Sequence, residues 1–194
     1  MRSILIPFVA FLSLFATHPT PYQRMVEKVE KSVTFIKGTT FEGGETHHYT
    51  CTGFQVTKDL VMTADHCIGD IMTVDGIAAH PAKEDEDADL ALVVAKTGRP
   101  PLGFSSHEPQ RFEHLTAIGH AFGERQNTVL SEVAFIISGG STLVQGGYIG
   151  GMSGGPVVND DGAVVSIVQG YIQEYPQIGI GASESVILTF LGLK

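Results

Sequence analysis

The alternation of apolar and polar residues predicts a chain built mainly from short β-strands. From residue 32 onward, runs with a two-residue period or a continuous β-branched character are separated by Gly, Asp and Pro residues. Such runs, bounded by turn residues, are typical of all-β folds. We predict strands at residues 32–37, 50–57, 60–63, 71–74, 90–95, 115–118, 128–137, 156–158, 163–170 and 177–182.

A turn-rich segment divides these strands into two sets. Residues 98–103 read Gly-Arg-Pro-Pro-Leu-Gly and predict a link between two lobes, at about 24–97 and 104–182. Two small antiparallel barrels are the economical arrangement for two sets of five or six strands. Helical periodicity is limited to an amphipathic turn at 25–31 and a short helix at 183–191.

The amino end has a different character from the rest of the chain. Arg2 precedes an almost wholly apolar run at residues 4–16. That run has the length of a signal-peptide core and is shorter than the ~20 residues that a spanning helix needs. We therefore interpret residues 1–23 as a signal peptide or membrane anchor that ends in a linker at 17–23. A buried amino-terminal strand is the other interpretation.

Composition and charge exclude some function classes. The chain is 43% hydrophobic and 17% charged, which suits a globular fold. Its net charge of -9 and the lack of a basic patch argue against a nucleic-acid partner. Cys51 and Cys67 are its two cysteines, which would pair in an exported protein and stay thiols in a cytosolic one. Two cysteines without clustered partners do not make a zinc site, so we expect no metal and no cofactor.

A serine among glycines carries the first candidate chemistry. Residues 148–158 read Tyr-Ile-Gly-Gly-Met-Ser-Gly-Gly-Pro-Val-Val. Glycines adopt φ > 0 and let other groups approach the backbone closely. The stretch can therefore present Ser153 as a nucleophile and aim main-chain N–H groups at a developing oxyanion. A glycine-rich turn with an incidental serine is the alternative interpretation.

Two further side chains suit acid–base chemistry. His66 follows a short apolar strand, and a histidine can take a proton from a serine and return it to a leaving group. Asp89 borders the apolar run at 90–95, where it can be held partly dry and accept an imidazole N–H. The acidic run at 84–87 before it is interpreted as a solvated loop, with Asp87 as the fallback carboxylate. A purely structural histidine is the alternative for His66.

Three motifs in this order resemble the trypsin/chymotrypsin-like serine proteases. They are Thr63-Ala64-x-His66-Cys67, Asp89-Leu90-Ala91-Leu92 and Gly151-x-Ser153-Gly154-Gly155-Pro156. The resemblance extends from about residue 32 to residue 182 and implies two six-stranded antiparallel β-barrels with the active site in the cleft between them. The pattern is most similar to short-looped bacterial and viral members, including the HtrA-like type. We expect no PDZ domain, because the chain stops at Lys194.

The resemblance also implies a role for each motif residue. Ser153 would be the nucleophile, His66 the general base and then acid, and Asp89 the carboxylate that orients the imidazole. The N–H groups of Gly151 and Ser153 would form the oxyanion hole. A catalytic triad on this fold would hydrolyse peptide bonds through an acyl-enzyme.

Other family features are implied or missing. A disulfide between Cys51 and Cys67 is implied by the resemblance. Met152 stands where the digestive enzymes carry an aspartate that pairs with a newly cut amino terminus, and their Ile-Val-Gly-Gly terminus is missing too. We therefore expect the site to assemble without that proteolytic switch.

The resemblance places a specificity pocket in the second lobe. No acid stands at Gly147, the position at the pocket floor, so a preference for Lys or Arg is not expected. We predict an apolar or small residue before the cut bond. The implied pocket positions are Gly147, Tyr148, Val168, Gln169, Gly170 and Gly179.

These observations predict an exported serine endopeptidase that acts on protein or peptide substrates outside the cytoplasm. It would be secreted, periplasmic or anchored to a membrane by its amino end. One alternative is a catalytically silent binding module on the same barrels. Another is a protease released from a viral polyprotein, with the apolar run as its membrane tether.

Overall fold

A computed structural model describes residues 19–138 and 140–194 of the chain. The apolar run of the expected signal or anchor lies in residues 1–18, outside the described residues. The strands within the described part are β1 (Val33–Glu42), β2 (Glu45–Gln55), β3 (Leu60–Thr63), β4 (Ile71–Val74), β5 (Ile77–Asp85), β6 (Leu90–Val94), β7 (His114–Gly119), β8 (Thr128–Ser138), β9 (Ser141–Gln145), β10 (Pro156–Val158), β11 (Val164–Ile172) and β12 (Tyr175–Ser183).

The strands close into two antiparallel barrels of six strands each. The first barrel has the order β1-β2-β3-β6-β5-β4, and the second has the order β10-β11-β12-β9-β8-β7. Closure removes the unpaired strand edges that an open sheet would expose. The predicted all-β fold of two six-stranded barrels is confirmed.

Three apolar clusters stabilise this arrangement. One fills the first barrel around Ile36 and Val61, and another fills the second barrel around Leu115 and Val144. The third joins the barrels, since it contains Phe54 and residues from both. Each large apolar side chain that is fully buried contributes about 1.5–3 kcal/mol. The cleft is therefore held between two barrels that share a packed interface.

Two strands were not expected from the sequence. β5 is mostly exposed, and it contains Pro81 and several charged residues, so its pattern has no apolar face. It takes up Glu84 and Asp85, so the first half of the expected acidic loop is strand. β9 is only five residues long and precedes the glycines of the serine loop. Both strands form because barrel closure pairs them with their neighbours.

Helix α1 (Pro21–Glu30) begins earlier than expected. Thr20 and Gln23 form a capping box at its start, and Pro21 occupies the first turn, where proline is favoured. The expected linker at 17–23 is therefore helical from Pro21 on. Helix α2 (Glu184–Leu191) lies where a helix was predicted. Neither helix, nor any other in the described residues, has the length and apolar content to cross a membrane.

Candidate active site

Ser153 lies in the loop between β9 and β10, at the end of the second barrel that faces the first. The N–H of Met152 donates to the carbonyl of Ile149 over 3.0 Å, and Gly151 between them has φ +95°. A positive φ at the third residue is typical of a type II turn. A Cβ atom at position 151 would lie 2.4 Å from the carbonyl oxygen of His120, so this turn accepts only glycine.

Gly154, the residue after the serine, packs closely against the first barrel. Gly154 has φ +81°, and a Cβ atom there would lie 2.1 Å from the hydroxyl oxygen of Thr63 and 2.2 Å from the carbonyl oxygen of Thr52. Its N–H donates to the carbonyl of Val168 over 2.7 Å. The glycines on both sides of Ser153 therefore have steric reasons to be there.

The turn also orients the peptide bond before Gly151. The carbonyl of Gly150 accepts a hydrogen bond from the N–H of Phe122 over 2.7 Å. In a trans peptide the C=O and N–H point in opposite directions, so the Gly151 N–H faces away from Phe122. Within the described residues, neither the N–H of Gly151 nor that of Ser153 has a main-chain acceptor. Both are free to bind a developing negative charge.

Thr52 of β2 holds this loop from the first barrel. Its N–H donates to the carbonyl of Ser153 and its hydroxyl donates to the carbonyl of Gly151, both over 2.8 Å. The same hydroxyl accepts the N–H of His120 over 2.8 Å. Thr52 is fully buried, as is Met152 between the two anchored carbonyls. Sequence analysis missed Thr52, because these bonds cross from one barrel to the other and leave no local pattern.

His66 and Asp89 are brought together at the end of the first barrel. His66 lies in a 3-10 turn, and its Nδ1 lies 2.9 Å from one oxygen of Asp89 and 3.0 Å from the other. The main-chain N–H of His66 donates to the same carboxylate over 3.0 Å. Asp89 adopts φ +49°, a left-handed conformation that aspartate tolerates better than most residues. The carboxylate therefore fixes both the ring and the backbone of the histidine.

The surroundings of His66 favour its protonated form. The hydrogen bond with Asp89 raises the pKa of His66 against the opposing effect of burial, and the charges of Asp89 and Asp65 add to the rise. Burial, followed by the charge of Glu84, raises the pKa of Asp65. The fallback candidate Asp87 is exposed and makes no hydrogen bond to His66 among the described residues. An imidazolium formed during catalysis would be stabilised here.

Ser153 lies close to this pair without a direct bond to it. The carbonyl oxygen of Ser153 lies 3.7 Å from the sulfur of Cys67, the residue after His66. In the described part of the chain, no hydrogen bond joins the His66 ring to the Ser153 hydroxyl. Catalytic hydrogen bonds are often long before substrate binds. Two members of the expected triad are therefore bonded, and the third lies on the facing loop.

Cys51 and Cys67 form a disulfide, as the family resemblance implied. The bond connects the residue before Thr52 with the residue after His66. The two sulfurs and a ring nitrogen of His66 lie within 4.8 Å of one another. Disulfide sulfurs are not the thiolates that bind metals, so this cluster does not offer a metal site while the bond is intact.

The expected pocket positions fall into two groups. In the first group, a Cβ atom at Gly179 would lie 2.8 Å from the ring of Tyr148 and 2.8 Å from Val144. A Cβ atom at Gly147 would lie 2.3 Å from the carbonyl oxygen of Pro176. The buried ring of Tyr148 thus covers Gly179 and takes up the space that a side chain there would occupy.

The second group lies nearer to the carboxylate of the first barrel. Val168 accepts the N–H of Gly154, while the side chain of Gln169 donates to the carbonyl of Ala88 over 2.6 Å. Gln169 and Gly170 line an open cleft of about 670 Å³ that extends to Asp89. The six expected positions are therefore divided between the serine loop and this cleft.

Glu132 is a charged residue near the pocket that sequence analysis missed. It lies on the inward side of β8, is 2% exposed, and neither of its carboxyl oxygens has a hydrogen-bond partner in the described structure. A Cβ atom at Gly146 would lie 3.8 Å from one of these oxygens. Burial raises the pKa of Glu132 to about 8. An acid at an inward position of the predicted strand at 128–137 was the available signal.

The hydroxyl of Tyr148 faces this carboxyl. Burial, followed by the charge of Glu132, raises the pKa of Tyr148 well above its ordinary value. The Tyr148 hydroxyl has no partner at standard hydrogen-bond distance and angle, so the contact between the two groups falls outside ordinary bond geometry. The two groups therefore lie close together without a well-formed hydrogen bond between them.

Known proteins share this arrangement of barrels and loops. A sequence profile described as a trypsin-like peptidase domain matches residues 51–167. The chain belongs to the trypsin-like peptidase family. The family match makes it a peptidase. A search of curated proteins gave no match.

Solved structures of two proteases have the same fold as this peptidase. The active form of the Rv3671c protease from M. tuberculosis has a TM-score of 0.78 and 21% identity, covering 98% of this chain and 93% of that one. Its inactive form has a TM-score of 0.76 and 20% identity, covering 87% and 91%. The serine endoprotease from Yersinia pestis has a TM-score of 0.75 and 19% identity, covering 90% and 66%. At these identities the likeness concerns the fold.

Proposed function

We propose that this peptidase is exported and cleaves peptide bonds through an acyl-enzyme on Ser153. His66 is the general base and then the general acid, and Asp89 orients it. One observation carries the proposal: the carboxylate of Asp89 binds both the ring and the backbone of His66, opposite a serine loop with two free N–H groups.

The proposed reaction has two halves. As the Ser153 hydroxyl attacks the substrate carbonyl, Nε2 of His66 takes its proton, and the N–H groups of Gly151 and Ser153 bind the oxyanion. The intermediate collapses when His66 gives that proton to the leaving amine. A water molecule activated by His66 then attacks the acyl-enzyme and releases Ser153.

The disulfide supports the proposed location. Disulfides persist in oxidising compartments and are rare in the cytosol. Together with the apolar run in residues 4–16, the Cys51–Cys67 bond favours export, with residues 1–23 as a signal peptide or membrane anchor. Amino-terminal sequencing of the mature protein tests this. Loss of the apolar run supports a signal peptide, and its retention supports an anchor or viral tether.

We also propose that the residue before the cut bond is small or apolar. The ring of Tyr148 against Gly179 supports this, because it shortens the pocket. A panel of peptides that differ only at this position tests the proposal. Efficient cleavage after Lys or Arg by the native enzyme would contradict it.

Labelling with a fluorophosphonate tests the function itself. We expect the native protein to be labelled, and Ser153→Ala and His66→Ala to lose the label while they keep their melting temperature. Ser131→Ala serves as a control, because this serine lies on the exposed side of β8. The missing bond between His66 and Ser153 favours the second candidate, a silent binding module. A folded native protein that takes up no label would establish that candidate instead.

A further inference from the structure

We propose that Glu132 is a covered specificity determinant, which the ring of Tyr148 keeps out of reach of substrate. The proposal rests on the proposed protease function. In the native protein Tyr148 closes the pocket above the acid and limits it to small side chains. Without the ring, the same pocket would bind the cationic side chain of Lys or Arg.

The position of Glu132 is the first argument. Its side chain lies beside Gly146, the residue after β9, since a Cβ atom there would lie 3.6 Å from the Cβ of Glu132 and 3.8 Å from its Oε2. The hydroxyl of Tyr148 lies near the same carboxyl, and both groups are buried without a hydrogen-bond partner of standard geometry in the described structure. The acid therefore lies near Tyr148, one of the expected pocket positions, and beside Gly146, which precedes the expected position Gly147.

The second argument is that three positions near the ring carry no side chain. The neighbouring positions Gly146, Gly147 and Gly179 are all glycine, and the ring of Tyr148 fills the space above Gly179. Removing the ring would therefore leave a channel bounded by the backbone of these glycines and by the side chain of Val144. Such a channel would extend from the substrate cleft to the carboxyl.

The energetic cost of Glu132 is the third argument. A buried carboxyl without hydrogen bonds is destabilising, and an apolar residue of similar size at this position would give a more stable fold. Its two oxygens and the Tyr148 hydroxyl all lack partners in the described structure. A cation brought by a substrate would supply the missing partner, and an opposite charge nearby favours the ionised acid.

The test is the Tyr148→Ala variant, with peptides that carry Ala, Val, Phe, Lys or Arg before the cut bond. We expect the ratio of kcat/KM for Lys over Ala to rise about 100-fold, in line with a newly formed buried ion pair. In Tyr148→Ala with Glu132→Gln this rise should fall to less than about tenfold, because the charge is gone. Tyr148→Phe should keep the native preference, since the ring remains.

Active-site titration with the fluorophosphonate separates this proposal from the proposed function. Absence of label in every folded protein would refute the protease mechanism. Normal label with an unchanged Lys to Ala ratio in Tyr148→Ala would refute the role of Glu132, as would an equal ratio in the double variant. If Tyr148→Ala does not fold, Tyr148→Val replaces it. If neither folds, Tyr148 is part of the core and the proposal is wrong.

Discussion

Each barrel places one carboxylate near the cleft, and the two are held in opposite ways. Asp89 of the first barrel is partly exposed and receives hydrogen bonds from the ring and the backbone of His66. Glu132 of the second barrel is almost fully buried and has no partner of standard geometry within the described residues. Donors around a carboxylate stabilise its charge, whereas burial without donors disfavours it. Both the donors and the burial therefore separate the carboxylate proposed to orient His66 from the carboxylate proposed to lie covered below Tyr148.

Of the changes that test this comparison, removing the charge of Asp89 should have the largest effect on activity. We expect Asp89→Asn to lower kcat about 10⁴-fold, because the imidazole loses its orientation and its stabilised charged form. The hydrogen bond that raises the pKa of His66 is lost too, so the acid limb of the kcat/KM profile should move to lower pH. Kinetics between pH 4 and pH 9 measure both effects.

Asp87→Asn is the matched control, since this acid is exposed and close in sequence. We expect its activity to stay within a few-fold of the native enzyme. A loss as large as that of Asp89→Asn would mean that the bonded carboxylate is not the one that orients His66.

Changing Thr52, which holds the serine loop from the first barrel, should have an intermediate effect on activity. Thr52→Val keeps the shape of the side chain but leaves the carbonyl of Gly151 and the N–H of His120 unpaired. An unsatisfied buried group costs about 1–3 kcal/mol, so we expect kcat to fall roughly 10–100-fold. KM should change little, because the proposed role of the loop is to bind the oxyanion rather than the ground state. Steady-state kinetics measure the effects on kcat and on KM separately.

Thr52→Ser should restore most of the rate, because it keeps the hydroxyl. An equal loss in Thr52→Ser and Thr52→Val would assign the effect to packing. A loss confined to KM would contradict a positioning role for Thr52.

Replacing Glu132 should have the smallest effect on activity but a clear effect on stability. Because the native pKa is raised to about 8, native Glu132 favours the protonated form. Its contribution to the free energy of unfolding is full below about pH 4.5 and is lost as the pH rises through about 8. Between pH 5 and pH 9 we expect the free energy of unfolding of the native protein to fall by on the order of 2–4 kcal/mol through this titration. Glu132→Gln should lack this decrease.

Thermal or urea unfolding of both proteins across this range measures the difference. If the free energy of unfolding changes equally with pH in the native protein and in Glu132→Gln, the titration of Glu132 does not contribute to that change. The activity of Glu132→Gln on small substrates should stay near native, because the ring of Tyr148 still covers position 132.

The sequence predicted those parts of the molecule that depend on local pattern. The continuous apolar run of β6 and the motif around Ser153 indicated buried strand and nucleophile directly. β5 was missed because its exposed, charged residues carry no alternation. Thr52 and Phe122 were missed for another reason: each acts through contacts with residues far away in the chain. Such contacts become visible only when the barrels are packed together. Glu132 did carry a local signal, as an acid at an inward position of a predicted strand.

The Cys51–Cys67 bond links the chemistry to the redox state of the surroundings. It ties the strand that carries Thr52 to the turn that carries His66, so one covalent link braces both the oxyanion loop and the base. A reducing environment would loosen these two supports at once, while leaving the serine and its glycines unchanged. We therefore expect the activity of this peptidase to fall when the bond is reduced.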